Sequence, residues 1–484
     1  MKSIVGASIV SIITESLYDK PIVVFREYTQ NAVDSISQVS SSVLPDALEV
    51  QIWYDENNLY FIDNGKGIAE QEFLTKMRGI ANSDKSKIEN IGYKGIGRLS
   101  GISYCQKLSF INILDYANNR YQRYDIDCQE YHRLRKQTDF NSLTFDALME
   151  KIGSSTTVTD FDAIKDIAEK HSQLFSQRNT GFIVILENIS PVLKNTIQGK
   201  QLIDELSWLL PVPFSDSLLN EEPFISLSSD SAIAANPLIP AKAYRVFLNG
   251  QQLERPLKED MFRSYLCTSQ LSQYGICLHA FSNHKIAVDK ANPFTGIRIY
   301  LDNMLLCDET ELIPALIQYG LTNHTSNELI QTVRGIGALI YIVDKISISA
   351  NARRTFIDVT DADAISFLQY ISEFIEKVYR TRYALSEYSS AKEKGESDAQ
   401  KLLQHRNKAI SALEDLASSH VELEEDTVES TDFNSMSLIE QKKIVKREIT
   451  KSLNVAIKQY FAQINTFSLA TCFEDFKTWL RANK

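Results

Sequence analysis

The chain has 484 residues, of which 44% are hydrophobic and 10% aromatic, and its formal net charge is −11. That is room for two to four domains with sizeable cores, and it excludes bulk disorder. The acidic balance works against non-specific binding to nucleic acid or anionic membrane, although a local basic patch is compatible with it.

Six cysteines (Cys105, Cys128, Cys267, Cys277, Cys307 and Cys472) form no CxxC pair and no ligand spacing. They read as reduced thiols of a cytoplasmic protein. No window of about twenty apolar residues is present, so no transmembrane span is expected. The apolar run Ile4 to Ile13 behind Lys2 has the look of a weak signal peptide. Glu15 and Asp19 follow it closely and no small-residue cleavage pattern appears, so a first amphipathic helix is the preferred reading.

The next stretch, Phe25 to Asp34, reads FREYTQNAVD. Glu27, Asn31 and Asp34 are spaced by four and three, which puts them on one helix face. Two readings fit that face. It is a solvated surface, or it is a metal-and-water site in which Asn31 offers a neutral oxygen to a hard cation and Glu27 deprotonates a water.

A strand pair follows. Leu48 to Tyr54 alternates, Asp55 to Asn58 is a turn, and Leu59 to Ile62 is a second apolar strand. That strand runs into Asp63-Asn64-Gly65-Lys66-Gly67-Ile68. Glycines there allow backbone to approach a flat ligand, and Asp63 can accept a hydrogen bond from an exocyclic amine; Asp-x-Gly is also ordinary turn chemistry. A polar segment from Ala81 to Lys87 leads to the glycine-rich stretch Gly92 to Gly101, whose backbone N–H groups at a helix start would suit an anion. Asp115 to Thr157 carries no chemical signature, and Asn179-Thr180-Gly181 precedes a strong strand at Phe182 to Leu186.

The Glu-x-x-x-Asn helix, the strand ending DxGxG and the glycine-rich stretch, in this order, resemble the GHKL ATPase superfamily, which includes heat-shock protein 90, MutL, type II topoisomerases, MORC proteins and histidine kinases. FREYTQNAVDS looks most like the heat-shock protein 90 version, and NTGFIVIL resembles that family's GTxxIxL strand, with Asn179 where the family has Gly. In the second half, Ile297 to Ile317 and Gly335 to Ile357 resemble the middle domain of heat-shock protein 90. Asp344 matches an acidic position there, Asn351 a loop Asn, and Arg354 the Arg that reaches the γ-phosphate. The alternative reading of the adjacent Arg353-Arg354 pair is a solvated loop pair.

The resemblance implies an α+β fold: a two-layer α/β sandwich over residues 1–205, an α/β middle domain over 206–390 and a helical C-terminal region over 391–484. It implies ATP and Mg²⁺ as ligands. Asp63 would read the adenine amine, with Gly65, Gly67, Ile68 and Thr180 beside it. Asn31 would hold Mg²⁺, with Asp34 on the same face. Ser83, Lys85 and the run Gly92, Tyr93, Lys94, Gly95, Ile96 and Gly97 would surround the phosphates. Glu27 would activate water, and Arg354 would complete the site. The chain departs from the family in a short segment between Gly67 and Gly92, in the charges of Lys94 and Arg98, and in having 130 residues after Arg354.

Leu210 to Phe214 and Asn220 to Pro223 look like a domain boundary, and Ala241 to Leu253 reads as a hairpin turning at Asn249-Gly250 and entering the second domain. Ala364 to Leu385 has a helical apolar stripe, Lys392 to Leu416 is a charged helix, Glu422 to Ser430 an acidic linker, and Leu438 to Phe467 and Phe473 to Leu480 are final helices. This tail is either a packed subdomain or a dimerisation or docking element.

The function expected from the resemblance is an ATP-hydrolysing conformational machine of the heat-shock protein 90 type. It would form a homodimer, nucleotide-dependent in the manner of the family, and act on a client or effector protein. Two other readings stand beside it: a MORC-like or MutL-like ATP-gated clamp on DNA, including defence against foreign DNA, and a regulatory ATP-binding module for a partner effector. The family's MutL and topoisomerase members contribute a Lys from the second domain, so the SANARR loop speaks against those two.

Overall fold

The structure, a computed structural model, describes residues 5–14, 20–39, 48–79, 96–158, 174–175, 178–214, 243–255, 266–270, 275–281, 296–333, 336–342, 347–351, 355–393 and 399–417. The expected Ser83, Lys85, Gly92, Tyr93, Lys94, Gly95, Asp344 and Arg354, the acidic linker and the final helices lie outside these residues. The chain divides into two compact units, one of Met1–Pro213 with Lys242–Arg255, the other of Phe214–Ala241 with Pro256–Lys484.

The first unit is an α/β sandwich. Its helices are α1 (Ser8–Ile12), α2 (Ile22–Ser37), α3 (Phe73–Arg78), α4 (Cys128–Arg135), α5 (Phe145–Ile152), α6 (Pro191–Ile197) and α7 (Leu202–Leu209). Its strands are β1 (Glu49–Tyr54), β2 (Leu59–Asp63), β3 (Cys105–Asp115), β4 (Arg120–Asp127), β5 (Gly153–Val158), β6 (Gly181–Ile189), β7 (Arg245–Leu248) and β8 (Gln251–Gln252). They form one sheet in the order β5-β4-β3-β6-β2-β1-β7-β8, antiparallel except for the parallel pair β1–β7.

Alternation along the strands sends opposite residues to opposite faces. Phe61 meets the rings of Phe25 and Tyr28 from α2, at 5.7 and 5.2 Å between centroids. Ile62 faces the other way, into a cluster with Ile111, Ile113, Tyr121, Ile183 and Ile185 that Leu174 and Phe175 join. The helix layer therefore lies on the side of Phe61 and Asp63. Register pairing extends that side as one row across the sheet, Val50, Asp63, Phe182, Asn112 and Gln122.

The N-terminal helix packs as expected on this unit: Ala7 donates its N–H to the Leu143 carbonyl at 2.8 Å, and the Ser11 and Tyr131 hydroxyls stand 3.1 Å apart. Cys105, Cys128 and Cys307 are free thiols, the first two with sulfurs 3.9 Å apart. His132 on α4 is half-buried, and burial pushes its imidazole below the ordinary value, against the pull of a hydrogen bond to the Ile102 backbone. Below about pH 6.5 the unfolded chain takes up a proton that the folded one resists, so this contribution to stability is lost as pH falls. His132→Asn should therefore flatten the fall in Tm between about pH 7 and about pH 5, measured in paired melts with the parent.

Within the expected 241–253 hairpin, the described strands at 245–252 pair, with Asn249 and Gly250 both at positive φ (46° and 84°), the backbone of a tight two-residue turn. Its destination corrects the sequence expectation. β7 adds to the first unit's sheet by parallel pairing with β1, and the Asn249 side chain accepts from the Tyr54 N–H at 3.0 Å. Parallel pairing across nearly two hundred residues leaves no local signal.

The second unit has strands β9 (Leu266–Gln270), β10 (Gly275–Phe281), β11 (Gly296–Leu301), β12 (Met304–Asp308) and β13 (Ile336–Ile342), in the order β12-β11-β13-β10-β9. Helices α8 (Glu309–Gln318), α9 (Ser326–Val333), α10 (Ala364–Glu393) and α11 (Ala399–Ala417) accompany it. Asp308 and Glu311 form a capping box that starts α8 directly after β12. Ile297, Ile299, Leu312, Leu316, Ile340, Phe367 and Phe374 are among the residues of one core. Helix α10 continues through the expected boundary at 390.

Candidate functional site

Helix α2 begins just after Pro21, whose φ of −58° is preset for a helix, and is anchored to the sheet by Phe25 and Tyr28. This orientation speaks against a wholly solvated polar face. Glu27 and Asp34 keep only 6% and 1% of their exposure, while Asn31 between them remains partly open. A solvated face would expose all three.

Gly97 meets the buried end of this face. A Cβ there would collide with the Glu27 carboxylate as it now lies, so glycine lets the backbone approach without displacing that side chain. The following 3₁₀ turn, Gly97–Tyr104, is pinned from below by Tyr28. Its hydroxyl donates to the Arg98 carbonyl at 2.9 Å and accepts from the Gly101 N–H at 3.0 Å. Burial raises the Tyr28 phenol far above its ordinary value, so it stays a donor throughout the stable pH range. Of the glycine-rich stretch, Gly97 is thus brought beside Glu27.

The segment after β2 is held atom by atom. Asp63, itself buried, accepts from the Gly65 N–H at 2.9 Å through Oδ1. Ser35 accepts from the Lys66 N–H with its carbonyl at 3.1 Å and from the Gly67 N–H with its hydroxyl at 3.2 Å. Thr180 donates its hydroxyl to the Gly65 carbonyl at 2.9 Å. Asn112 accepts from the Ile68 N–H at 2.9 Å. Gly67 turns the chain at φ +67°, in the left-handed region. A Cβ at Gly65 would enter the Ser35 backbone at 2.6 Å. Asp63, Gly65, Gly67, Ile68 and Thr180 therefore sit in one place, at the end of β2 and beside α2. Where the family has Gly, Asn179 is exposed and accepts from the Tyr116 N–H at 2.8 Å through its carbonyl.

Ser35, Tyr28, Asn112 and Gln122 escaped the sequence reading. Ser35 follows Asp34 and lies one turn beyond Asn31, which is a signal that helix spacing could have supplied. The other three act across long sequence separations and carry none.

In the second unit, residues 352–354 are flanked by a closed base. Asn351 donates its N–H to the Phe356 carbonyl at 2.9 Å and accepts from the Thr355 N–H at 3.2 Å with its side chain. The Asp361 carboxylate accepts from the Ser349 N–H and hydroxyl at 2.7 and 2.6 Å.

Residues 22–157 match the family model for histidine kinase-, DNA gyrase B-, and HSP90-like ATPases. Two curated relatives, each named chaperone protein HtpG, come from Polaromonas sp. (strain JS666 / ATCC BAA-500) and Polaromonas naphthalenivorans (strain CJ2). Each is 28% identical over 125 residues, covering 21% of this chain and 20% of the relative. The match thus spans about a fifth of those proteins' length. Within the first unit, residues 22–157 are therefore similar to GHKL-type ATPase domains, and the α/β sandwich agrees with that likeness. Among the described residues, no helix is long and apolar enough to cross a membrane.

Proposed function

We propose that this protein is an ATP-driven conformational machine of the heat-shock protein 90 type, cytoplasmic and dimeric, that hydrolyses ATP slowly and acts on a client or effector protein. The observation that carries this reading is the buried Glu27 carboxylate lying against the Gly97 backbone, one helical turn from the partly open Asn31. A carboxylate in that setting can take a proton from water beside a terminal phosphate. Asp63 accepts from the adenine amine, and the backbone at Gly97 approaches phosphate.

The donor set suits Mg²⁺. Asn31 offers a hard neutral oxygen, and among the described residues no three His, Cys, Asp or Glu side chains converge into a metal cage. Mg²⁺ bound through one side chain and substrate phosphates is the ordinary arrangement, and it would neutralise phosphate charge. Arg354 is the proposed cation from the second unit. A guanidinium donates in a fixed fork to phosphoryl oxygens, and its delivery by another domain would make turnover slow and gated by closure.

The direct test is ATP titration calorimetry with phosphate-release kinetics, together with solution mass in the presence and absence of a non-hydrolysable ATP analogue. Absence of ATP binding would end this reading. Arg354→Ala should lower saturated turnover by about 10²-fold or more with ATP affinity nearly unchanged. Unchanged turnover in that variant would remove Arg354 from the mechanism.

A further inference from the structure

We infer that Asn112 and Gln122, on adjacent strands of the sheet, are positioning residues that set the shape of the base-binding end of the nucleotide site. The inference rests on the proposal that this unit binds an adenine nucleotide at Asp63.

Asn112 is completely buried. Its side-chain oxygen accepts from the Ile68 N–H at 2.9 Å, and its nitrogen donates to the Ile68 carbonyl at 2.7 Å. One amide thus serves both backbone groups of one residue, as a neighbouring strand would. The same nitrogen donates to the Gln122 side-chain oxygen at 3.2 Å. Gln122 then donates its own nitrogen to the Glu70 carbonyl at 2.9 Å. The two amides stand directly opposite each other in the β3–β4 register. Their orientations are locked in series, because turning either amide over would oppose like groups at each contact.

This pair holds segment 68–70 down on the row that contains Asp63. Only Phe182 lies between Asp63 and Asn112 in that row, so the two are roughly 10 Å apart at two strand spacings. The approach is close: a Cβ on Gly67 would come within 2.9 Å of the Asn112 oxygen. Asp63 would take the amine of the base, and the amide pair fixes how far the wall formed by Gly67 and Ile68 stands from it. Segment 68–70 leads directly into α3, so the amide pair also holds the approach to that helix.

The test is Asn112→Asp, a near-isosteric change that places a carboxylate oxygen opposite the Ile68 carbonyl and the Gln122 oxygen. Adenosine and ATP affinities are measured by calorimetry below the melting temperature, with turnover at saturating ATP. Both affinities should fall by the same factor, about tenfold or more, with saturated turnover little changed, since the fault lies at the base end. Gln122→Glu keeps the Asn112 contacts to Ile68 and loses only the one to Glu70. It should show a smaller loss of the same kind, and it serves as the readout if Asn112→Asp does not fold. A folded variant with adenosine affinity within about twofold of the parent, or one that loses ATP but not adenosine, overturns the inference. A parent protein that binds neither ligand overturns the nucleotide reading itself, and the amide clamp with it.

Discussion

Glu27→Ala should leave a protein that binds ATP and does not turn it over. A positioned general base contributes about 10²-fold to 10⁴-fold, and the loss should fall in that range. Affinity for ATP should stay within a few-fold, because in the proposed arrangement Glu27 touches water and not the nucleotide. Phosphate release and calorimetry on the same preparation check both halves. Alanine also opens space against Gly97, where the carboxylate now sits. Glu27→Gln keeps the volume and should show the same loss of turnover with a smaller change in Tm. Normal hydrolysis in either variant would mean that another group takes the proton, and the buried position of Glu27 would need a structural explanation.

Asp63→Asn should abolish nucleotide binding at the concentrations where the parent saturates. The Asn oxygen can still accept from the Gly65 N–H, the bond that Asp63 makes at 2.9 Å, so the local turn should survive. What changes is the second arm: in the proposed arrangement an NH₂ group would replace an acceptor in front of the exocyclic amine. Loss of a hydrogen bond to a charged group costs about 1.5–3 kcal/mol, and opposing two donors adds to it, which corresponds to an affinity at least tenfold to 150-fold weaker. Titration with ATP, alongside a melt to confirm folding, decides it. Retained affinity would place the base elsewhere in the unit.

The parts of this site that could be read in the sequence are those with local grammar. Glu27, Asn31 and Asp34 share a face because α-helical geometry fixes it, and Asp63 with its glycines is visible because a strand must end in a turn. The Asn249-Gly250 turn was legible for the same reason. The remainder depends on encounters between distant segments. Asn112 meets Ile68 from 44 positions away and Tyr28 meets Gly101 from 73, and neither side of either contact looks unusual alone. The hairpin's turn was plain while its partner was not, since the parallel neighbour β1 lies some two hundred residues upstream and pairing carries no residue code. The long helix through 390 shows the converse. The expected boundary at 390 falls inside a helix that continues to Glu393, with Ala384 and Tyr388 packed into the core just before it.

The late return of the chain to the first sheet has a practical consequence for anyone who would isolate the first unit. The peptide leaves at Pro213 and comes back for Lys242–Arg255, where the wholly buried Arg255 ties itself to the Pro213 and Leu210 carbonyls. Truncation at 213 would strip β1 of its outer neighbour and leave an open row of amides and carbonyls, an invitation to intermolecular strand pairing. A soluble excised domain must therefore carry its terminus past 255, or rejoin the two segments through a designed short bridge.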